Sequence, residues 1–109
     1  MFGVRAPMAD FTGARLERVM FALSRLSGTT FRGADVYECS FAEANLIGAD
    51  MNGASLVRTD FQFAQMNDAN LAGVDFTGAR LLSANVTGAD MTDVVFNETV
   101  MMNGDIRTD

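Results

Sequence analysis

A large apolar residue recurs at every fifth position of the sequence from Phe11 to Ile106. These residues, which we call centres, number twenty and keep one register without a slip. Two positions before each centre stands a small residue, which is Ala in eleven of the twenty cases. The residue between them is mostly polar and is often Asp or Asn. The repeating unit of the chain is therefore five residues long.

Five residues is the period of neither an α-helix nor a continuous β-strand. A helix turns by about 100° per residue, so centres spaced by five would spread around its circumference. On a strand side chains alternate between faces, so centres spaced by an odd number would point to opposite sides. A chain that bends once in every unit avoids both problems, because the small residue and the centre then share one face of a short extended segment. Repeated bends predict a solenoid whose apolar side chains all point inward.

Glycine spacing predicts how many segments make one coil. Two positions after a centre, Gly28 and Gly33 form an adjacent pair that returns twenty residues later as Gly48 and Gly53. Gly at this position suits the positive φ of a tight type II turn. On another face the same position holds mostly alternating charges, in the order Arg18, Glu38, Arg58, Gly78 and Glu98. Opposite charges favour direct stacking. Both features predict coils of four segments and twenty residues, and hence about five coils for the twenty centres.

The repeating unit resembles the motif of the pentapeptide-repeat proteins. The clearest copies are A-N-L-I-G at 44–48, A-D-M-N-G at 49–53, A-N-L-A-G at 69–73 and A-D-M-T-D at 89–93. The resemblance implies an all-β fold, a right-handed quadrilateral β-helix. We expect an irregular start at residues 1–8 and a pentapeptide-repeat β-helix over residues 9–109. One column of inward centres is expected to form a core stack of Phe21, Phe41, Phe61, Leu81 and Met101.

The composition argues against several classes of function. The net charge is −6, all eight basic residues are Arg, and the chain has no His. A negative surface speaks against direct binding of nucleic acid, because phosphates are bound by cationic faces. Without His the commonest general base and metal ligand is missing, and the sequence offers no Cys cluster, phosphate-binding loop or activated nucleophile. We therefore expect no enzyme activity, no cofactor and no metal.

The sequence contains no signal for a membrane or for an oxidising compartment. The single cysteine, Cys39, cannot form an internal disulfide, and its inward position predicts a small buried side chain. The start MFGVRAPMAD lacks the apolar run of a signal peptide, and no apolar stretch is long enough to span a bilayer. We expect a cytoplasmic chain that does not enter a membrane.

Aspartates form the first candidate site. The candidate acidic face consists of Asp10, Asp50, Asp60, Asp75 and Asp90. A phosphate-spaced acidic stripe would imitate DNA, as in the pentapeptide-repeat proteins that bind type II topoisomerases and protect them from quinolones or peptide toxins. The simpler interpretation is that each Asp satisfies backbone groups near a bend. We favour the simpler interpretation because Arg residues interrupt the negative field.

Outward apolar residues form the second candidate site. The candidate interface consists of Met20, Leu23, Phe63, Leu82, Val95, Val100 and Met102. All but Val95 belong to one predicted face, and they become denser toward the C-terminus. An exposed apolar face commonly marks a surface that binds a partner. Dimeric pentapeptide-repeat proteins join at their C-terminal ends, so the resemblance implies a homodimer through the C-terminal coil.

The sequence is compatible with three functions. The leading hypothesis is a non-catalytic rod that acts as a protein–protein interaction or scaffold module, binding an unidentified protein and itself. The first alternative is a DNA mimic that binds DNA gyrase or another type II topoisomerase and confers quinolone or toxin resistance. The second alternative is a domain of a larger secreted effector or scaffold.

Overall fold

The chain winds into coils that are stacked by backbone pairing. A computed structural model describes residues 3–108. Parallel bridges join residues that lie twenty apart, from Arg5 with Arg25 to Arg80 with Val100, and one bridge occurs per five-residue segment. This spacing confirms the predicted twenty-residue step and gives each coil four sides. The fold is the predicted all-β, quadrilateral β-helix, and no helix occurs between residues 3 and 108.

Within residues 3–108, four segments are extended enough to form named strands. They are β1 (Arg15–Glu17), β2 (Asp35–Tyr37), β3 (Thr99–Val100) and β4 (Ile106–Arg107). β1 and β2 are parallel and pair Leu16 with Val36, whereas β3 and β4 are antiparallel. Most other sides carry a single bridge per segment, because the chain bends again after a few residues.

Every corner from Gly3 to Glu98 uses one residue with positive φ. This residue lies two positions after the centre, and its φ is between 52° and 75°. At most corners the next N–H donates to the carbonyl of the centre, as Ala54 does to Met51 at 3.0 Å. The sequence pattern predicts Gly here, yet eleven residues with positive φ are not Gly. An L-residue in this conformation costs roughly 1–2 kcal/mol, so these corners carry backbone strain.

Inward side chains form one continuous core along the rod. The thirteen consecutive centres from Phe21 to Leu81 are all buried. The rings of Phe21, Phe41 and Phe61 are stacked, with centroids 5.0 and 5.2 Å apart. Leu81 is buried in the same column, and Met101 is partly buried against the core at the C-terminal end. The expected core stack therefore runs from the second coil to the end of the rod.

The start of the described chain shows no boundary at residue 8. Gly3 and Met8 have the corner φ, and Arg5 pairs with Arg25. Pro7 precedes Met8 in its turn, where the fixed φ of proline suits the second position of a type II turn. Residues 3–8 thus already follow the repeat, whereas residues 1 and 2 of the expected irregular start lie outside the described residues.

The last repeat leaves the predicted register. The register places Ile106 inside the rod, and this expectation is wrong because the side chain is 69% exposed. Positive φ occurs at Gly104 (90°), one residue later than the expected corner at Asn103. The chain then turns back, and the carbonyl of Asp105 accepts the N–H of Met101 at 2.6 Å. This reversal brings β4 alongside β3.

Candidate functional site

The acidic residues lie in separate columns along the rod. Bridges stack one column in the order Asp10, Thr30, Asp50, Asn70 and Asp90. Asp60 is in a second column, where it pairs with Arg80, and Asp75 is in a third, where it pairs with Val95. The structure thus brings three of the five predicted aspartates to one side and leaves two on other sides.

Each of these aspartates closes its own turn. One carboxylate oxygen accepts the backbone N–H of the residue two positions later, as from Asn52 to Asp50 at 3.1 Å and from Thr77 to Asp75 at 2.9 Å. The side-chain amide oxygen of Asn70 makes the same contact in the acidic column. A neutral residue therefore performs the same local role as the charged ones.

Hydrogen bonds from threonine favour the ionised form of two of these carboxylates. The hydroxyl and then the backbone N–H of Thr12 lower the pKa of Asp10, and those of Thr92 lower the pKa of Asp90. A carboxyl whose pKa is lowered by folding stabilises the folded state at pH values above its pKa in the unfolded chain. This contribution to stability is lost as the pH falls through the pKa in the folded state.

Arginine residues offset part of the acidic field. The Arg32 guanidinium lies 2.9 Å from the Asp50 carboxylate, in the middle of the acidic column. On another side Arg15 lies 3.9 Å from Asp35. The acidic column is therefore not a continuous line of unpaired negative charge.

The predicted alternation of charges is confirmed at one corner. Arg18 lies 3.1 Å from Glu38, and Glu38 lies 3.9 Å from Arg58 in the next coil. Arg58 also donates a hydrogen bond to the Tyr37 hydroxyl at 3.2 Å. Exposed ion pairs contribute only about 0–1 kcal/mol each, so this charge ladder helps to set which coils stack rather than holding the rod together.

The candidate interface residues divide by exposure. The half-exposed side chains are Met20, Leu23, Phe63 and Val95, at 48–55%. The partly buried ones are Leu82, Val100 and Met102. Met102 packs against the core. The first four side chains are therefore open to solvent, whereas the last three are partly covered by the rod.

Charged and polar residues separate the exposed apolar side chains. Leu23 and Phe63 occupy the same corner two coils apart, with Glu43 at that corner between them. Phe63 adjoins Leu82, whose carbonyl accepts the Phe63 N–H at 3.0 Å. Asp60 and Arg80, which are joined by a backbone bridge, lie on the same face. The face is thus a row of apolar side chains with charges between them rather than one continuous patch.

Between residues 3 and 108, two further exposed apolar residues were not predicted by the pattern. Met8 is 77% exposed and Ile47 is 37% exposed. The Met8 side chain lies over Gly28, where a Cβ atom would collide with its sulfur. Ala6 lies five residues before the first centre, Phe11. Extending the repeat by one unit would therefore have made Ala6 a centre and placed Met8 at the corner that follows it.

The C-terminal end forms a shallow apolar depression. Its volume is about 540 Å³, and it is lined by Met101, Met102, Asn103, Asp105, Ile106 and Arg107. The Arg107 guanidinium lies 4.4 Å from the centre of the Phe96 ring, which closes part of the core at this end. Met102 of the candidate interface therefore lines this depression, and Val100 of the same interface directly precedes its first lining residue.

Cys39 occupies the inward position that the sequence indicates. It is 2% exposed, its sulfur accepts the Val19 N–H, and its thiol donates to the Leu16 carbonyl, both at 3.3 Å. Burial raises the pKa of the thiol, which disfavours the reactive thiolate. Within residues 3–108, no group of three or more His, Cys, Asp or Glu side chains could hold a metal ion, and no helix could cross a membrane.

Known proteins share this repeat and this architecture. The sequence model of pentapeptide repeats matches eight copies over residues 8–36, 37–71 and 59–97. The crystal structure of a pentapeptide repeat protein from the thylakoid lumen of Arabidopsis thaliana has 31% identity and a TM-score of 0.72. That match covers 90% of this chain and 68% of the other.

A second solved structure shares the fold at low identity. QnrB1, a plasmid-mediated fluoroquinolone resistance protein, has 17% identity and a TM-score of 0.52, covering 89% of this chain and 58% of its own. At this identity the likeness shows the fold alone. Among curated proteins, no sequence matches this chain significantly.

Proposed function

The chain belongs to the pentapeptide-repeat family, and on this basis we propose that it is a non-catalytic protein–protein interaction module. The rod offers its apolar side face to an unidentified protein partner and its C-terminal coil to a second copy. Backbone hydrogen bonds join each coil to the next, which makes the rod a rigid platform for such contacts.

The observation that best supports this proposal is a pair of bulky apolar residues at strained corners. Leu23 and Phe63 have φ values of 61° and 59°, and their exposures are 50% and 55%. Each residue bears a cost of roughly 1–2 kcal/mol for the left-handed backbone. Within the rod, a half-exposed side chain gains only part of the free energy that comes from removing its apolar surface from water. A protein that covers Leu23 and Phe63 would remove the remaining apolar surface from water.

Replacing these residues with Asn should separate folding from partner binding. Asn tolerates positive φ, so we expect Leu23→Asn and Phe63→Asn to remain folded. We expect affinity for the partner to fall about tenfold or more, because the apolar contacts at an interface centre carry most of its energy. The measurement is quantitative capture from source-cell extract by the immobilised wild-type and variant chains.

Ser83→Asn is the matched control, because Ser83 occupies the same corner and has φ 57°. It should capture the same protein as the wild type. Equal capture by all variants would exclude Leu23 and Phe63 from the interface.

The alternative of a DNA mimic is supported by the acidic column and the fold shared with QnrB1. The spacing of the aspartates along the rod argues against a DNA mimic. Double-stranded DNA carries one negative charge per about 1.7 Å of helix axis. Asp10, Asp50 and Asp90 recur only at every second coil, or roughly every 10 Å at the usual strand spacing. Arg32 also offsets Asp50.

A supercoiling assay with DNA gyrase tests this alternative directly. We expect no inhibition of supercoiling and no protection against a fluoroquinolone at micromolar concentrations of the chain, because the charge density is too low to compete with DNA. Protection that is lost in Asp50→Asn would instead favour the DNA mimic over the leading proposal.

A further inference from the structure

The C-terminal end of the rod exposes backbone donors. Between coils, the N–H groups of the centre and of the corner donate to the following coil, as Met51 does to Asn70 and Gly53 to Ala72. In the last coil the corresponding groups are the N–H groups of Val86, Gly88, Met91, Asp93, Phe96 and Glu98. Within residues 3–108 none of these six donates a hydrogen bond. This end therefore offers donors along three of its four sides.

The N-terminal end exposes the complementary acceptors. In later coils, the carbonyls that flank each centre accept these N–H groups from the preceding coil. The equivalent carbonyls of Arg5, Pro7, Asp10 and Thr12 accept no hydrogen bond from residues 3–108. The acceptors missing at one end of the rod are thus present at the other.

Charge is also complementary between the ends. From residue 3 to residue 20 the chain carries three Arg and two acidic residues. From residue 86 to residue 108 it carries four acidic residues and one Arg. Glu98 stands at the corner of the charge ladder, and the charge that would continue the alternation is that of Arg18.

We propose that the C-terminal end binds the N-terminal end of a second copy, so that the copies associate head to tail. This inference rests on the self-association in the proposed function and specifies which surfaces meet. Continuing the twenty-residue step places Arg18 of the second copy on Glu98 and Phe11 of the second copy on Met91. Two C-terminal ends facing each other would instead oppose donors with donors and acidic groups with acidic groups.

The reversed segment 104–108 limits this association. β4 covers the side of the C-terminal end formed by Thr99 to Met101, where the second copy would continue the coil. The segment is held by a two-residue pairing, by the bond from Met101 to Asp105, and by Arg107 over Phe96. It must move aside for full contact.

Disulfide trapping between two singly substituted chains tests the geometry. Both chains carry Cys39→Ala, since Ala is the commonest residue at inward small positions; one adds Arg18→Cys and the other Glu98→Cys. Directly stacked residues lie about 5 Å apart, within the Cα range of a disulfide. We expect a mixed 18–98 dimer under mild oxidation. The matched control Glu43→Cys, at a mid-rod corner with φ 57°, should give none.

The outcomes separate the head-to-tail contact from self-association through the C-terminal coil. A dimer of Glu98→Cys with itself overturns the head-to-tail contact but leaves self-association through the C-terminal coil intact. No cross-link, together with a monomeric wild type in light scattering at high concentration, contradicts both. The capture experiment on Leu23 and Phe63 is independent of either result.

Weakening the reversed segment should strengthen the contact. Arg107→Ala removes the guanidinium that lies over Phe96 and so weakens one of the contacts that hold the reversed segment. We expect a several-fold higher yield of the 18–98 dimer when this substitution is added to the Glu98→Cys chain. An unchanged or lower yield would show that the segment does not limit association. Circular dichroism confirms that each variant remains a β-helix.

Discussion

Replacing Phe41 with alanine should lower the free energy of unfolding by about 3–5 kcal/mol. The ring is fully buried and stacks on Phe21 and Phe61 at 5.0 and 5.2 Å. It also meets Phe31 edge-on at 5.6 Å. The substitution therefore removes the transfer energy of one ring and contacts with three others, and it leaves a cavity in the middle of the rod. Chemical denaturation followed by circular dichroism measures the change.

Phe63→Ala is the matched control for this prediction. It removes the same side chain, but Phe63 is 55% exposed at a corner. We expect a loss of about 1 kcal/mol or less. Small domains are stable by about 5–15 kcal/mol, so only the Phe41 substitution should remove a large share of the total. Equal losses at the two sites would contradict the proposed division between core and surface.

Replacing Ala49 with leucine should destabilise the rod by about 1–3 kcal/mol, although it adds apolar volume. Ala49 is fully buried, and the same inward position holds Thr29 in one neighbouring coil and Ala69 in the other, both also buried. Each side of a coil already holds one large centre, so three added carbons find no space. The change is measured by the same denaturation experiment.

Ala72→Leu makes the same change at an outward position. Ala72 directly follows the centre Leu71 and is only partly buried. We expect its effect on the free energy of unfolding to stay within about 0.5 kcal/mol. A loss at Ala72 as large as that at Ala49 would mean that the interior is not the constraint that selects small residues.

Stacking explains why the candidate sites depend on exceptions to the repeat. Residues twenty apart are stacked in a column along the rod. A residue that resembles its neighbours in the column therefore does not distinguish one coil from another. Asp50 and Asn70 close their turns in the same way, and neither distinguishes its coil. Leu23 and Phe63 interrupt a corner that holds Glu43 and Ser83 elsewhere, which gives the rod a recognisable feature on an otherwise regular side.

The sequence predicted the regular part of the molecule because the repeat is local and each coil repeats the last. A small residue and a centre two positions apart are enough to place Ala49 and Met51 inside. The twenty-residue return of Gly28 as Gly48 is enough to set which residues stack. The charge ladder from Arg18 to Arg58 follows from the same step. None of these features depends on distant contacts outside the repeat.

Only the tertiary structure decided what happens where the repeat is broken. The shift of positive φ from position 103 to Gly104 reverses the chain, exposes Ile106 and brings Arg107 over Phe96. It also decided that Leu82 and Met102 are partly buried while Phe63 stays exposed. The physical reason is that a periodic pattern specifies the environment inside a stack. At an edge or a corner, the outcome depends on competing contacts that the period does not encode.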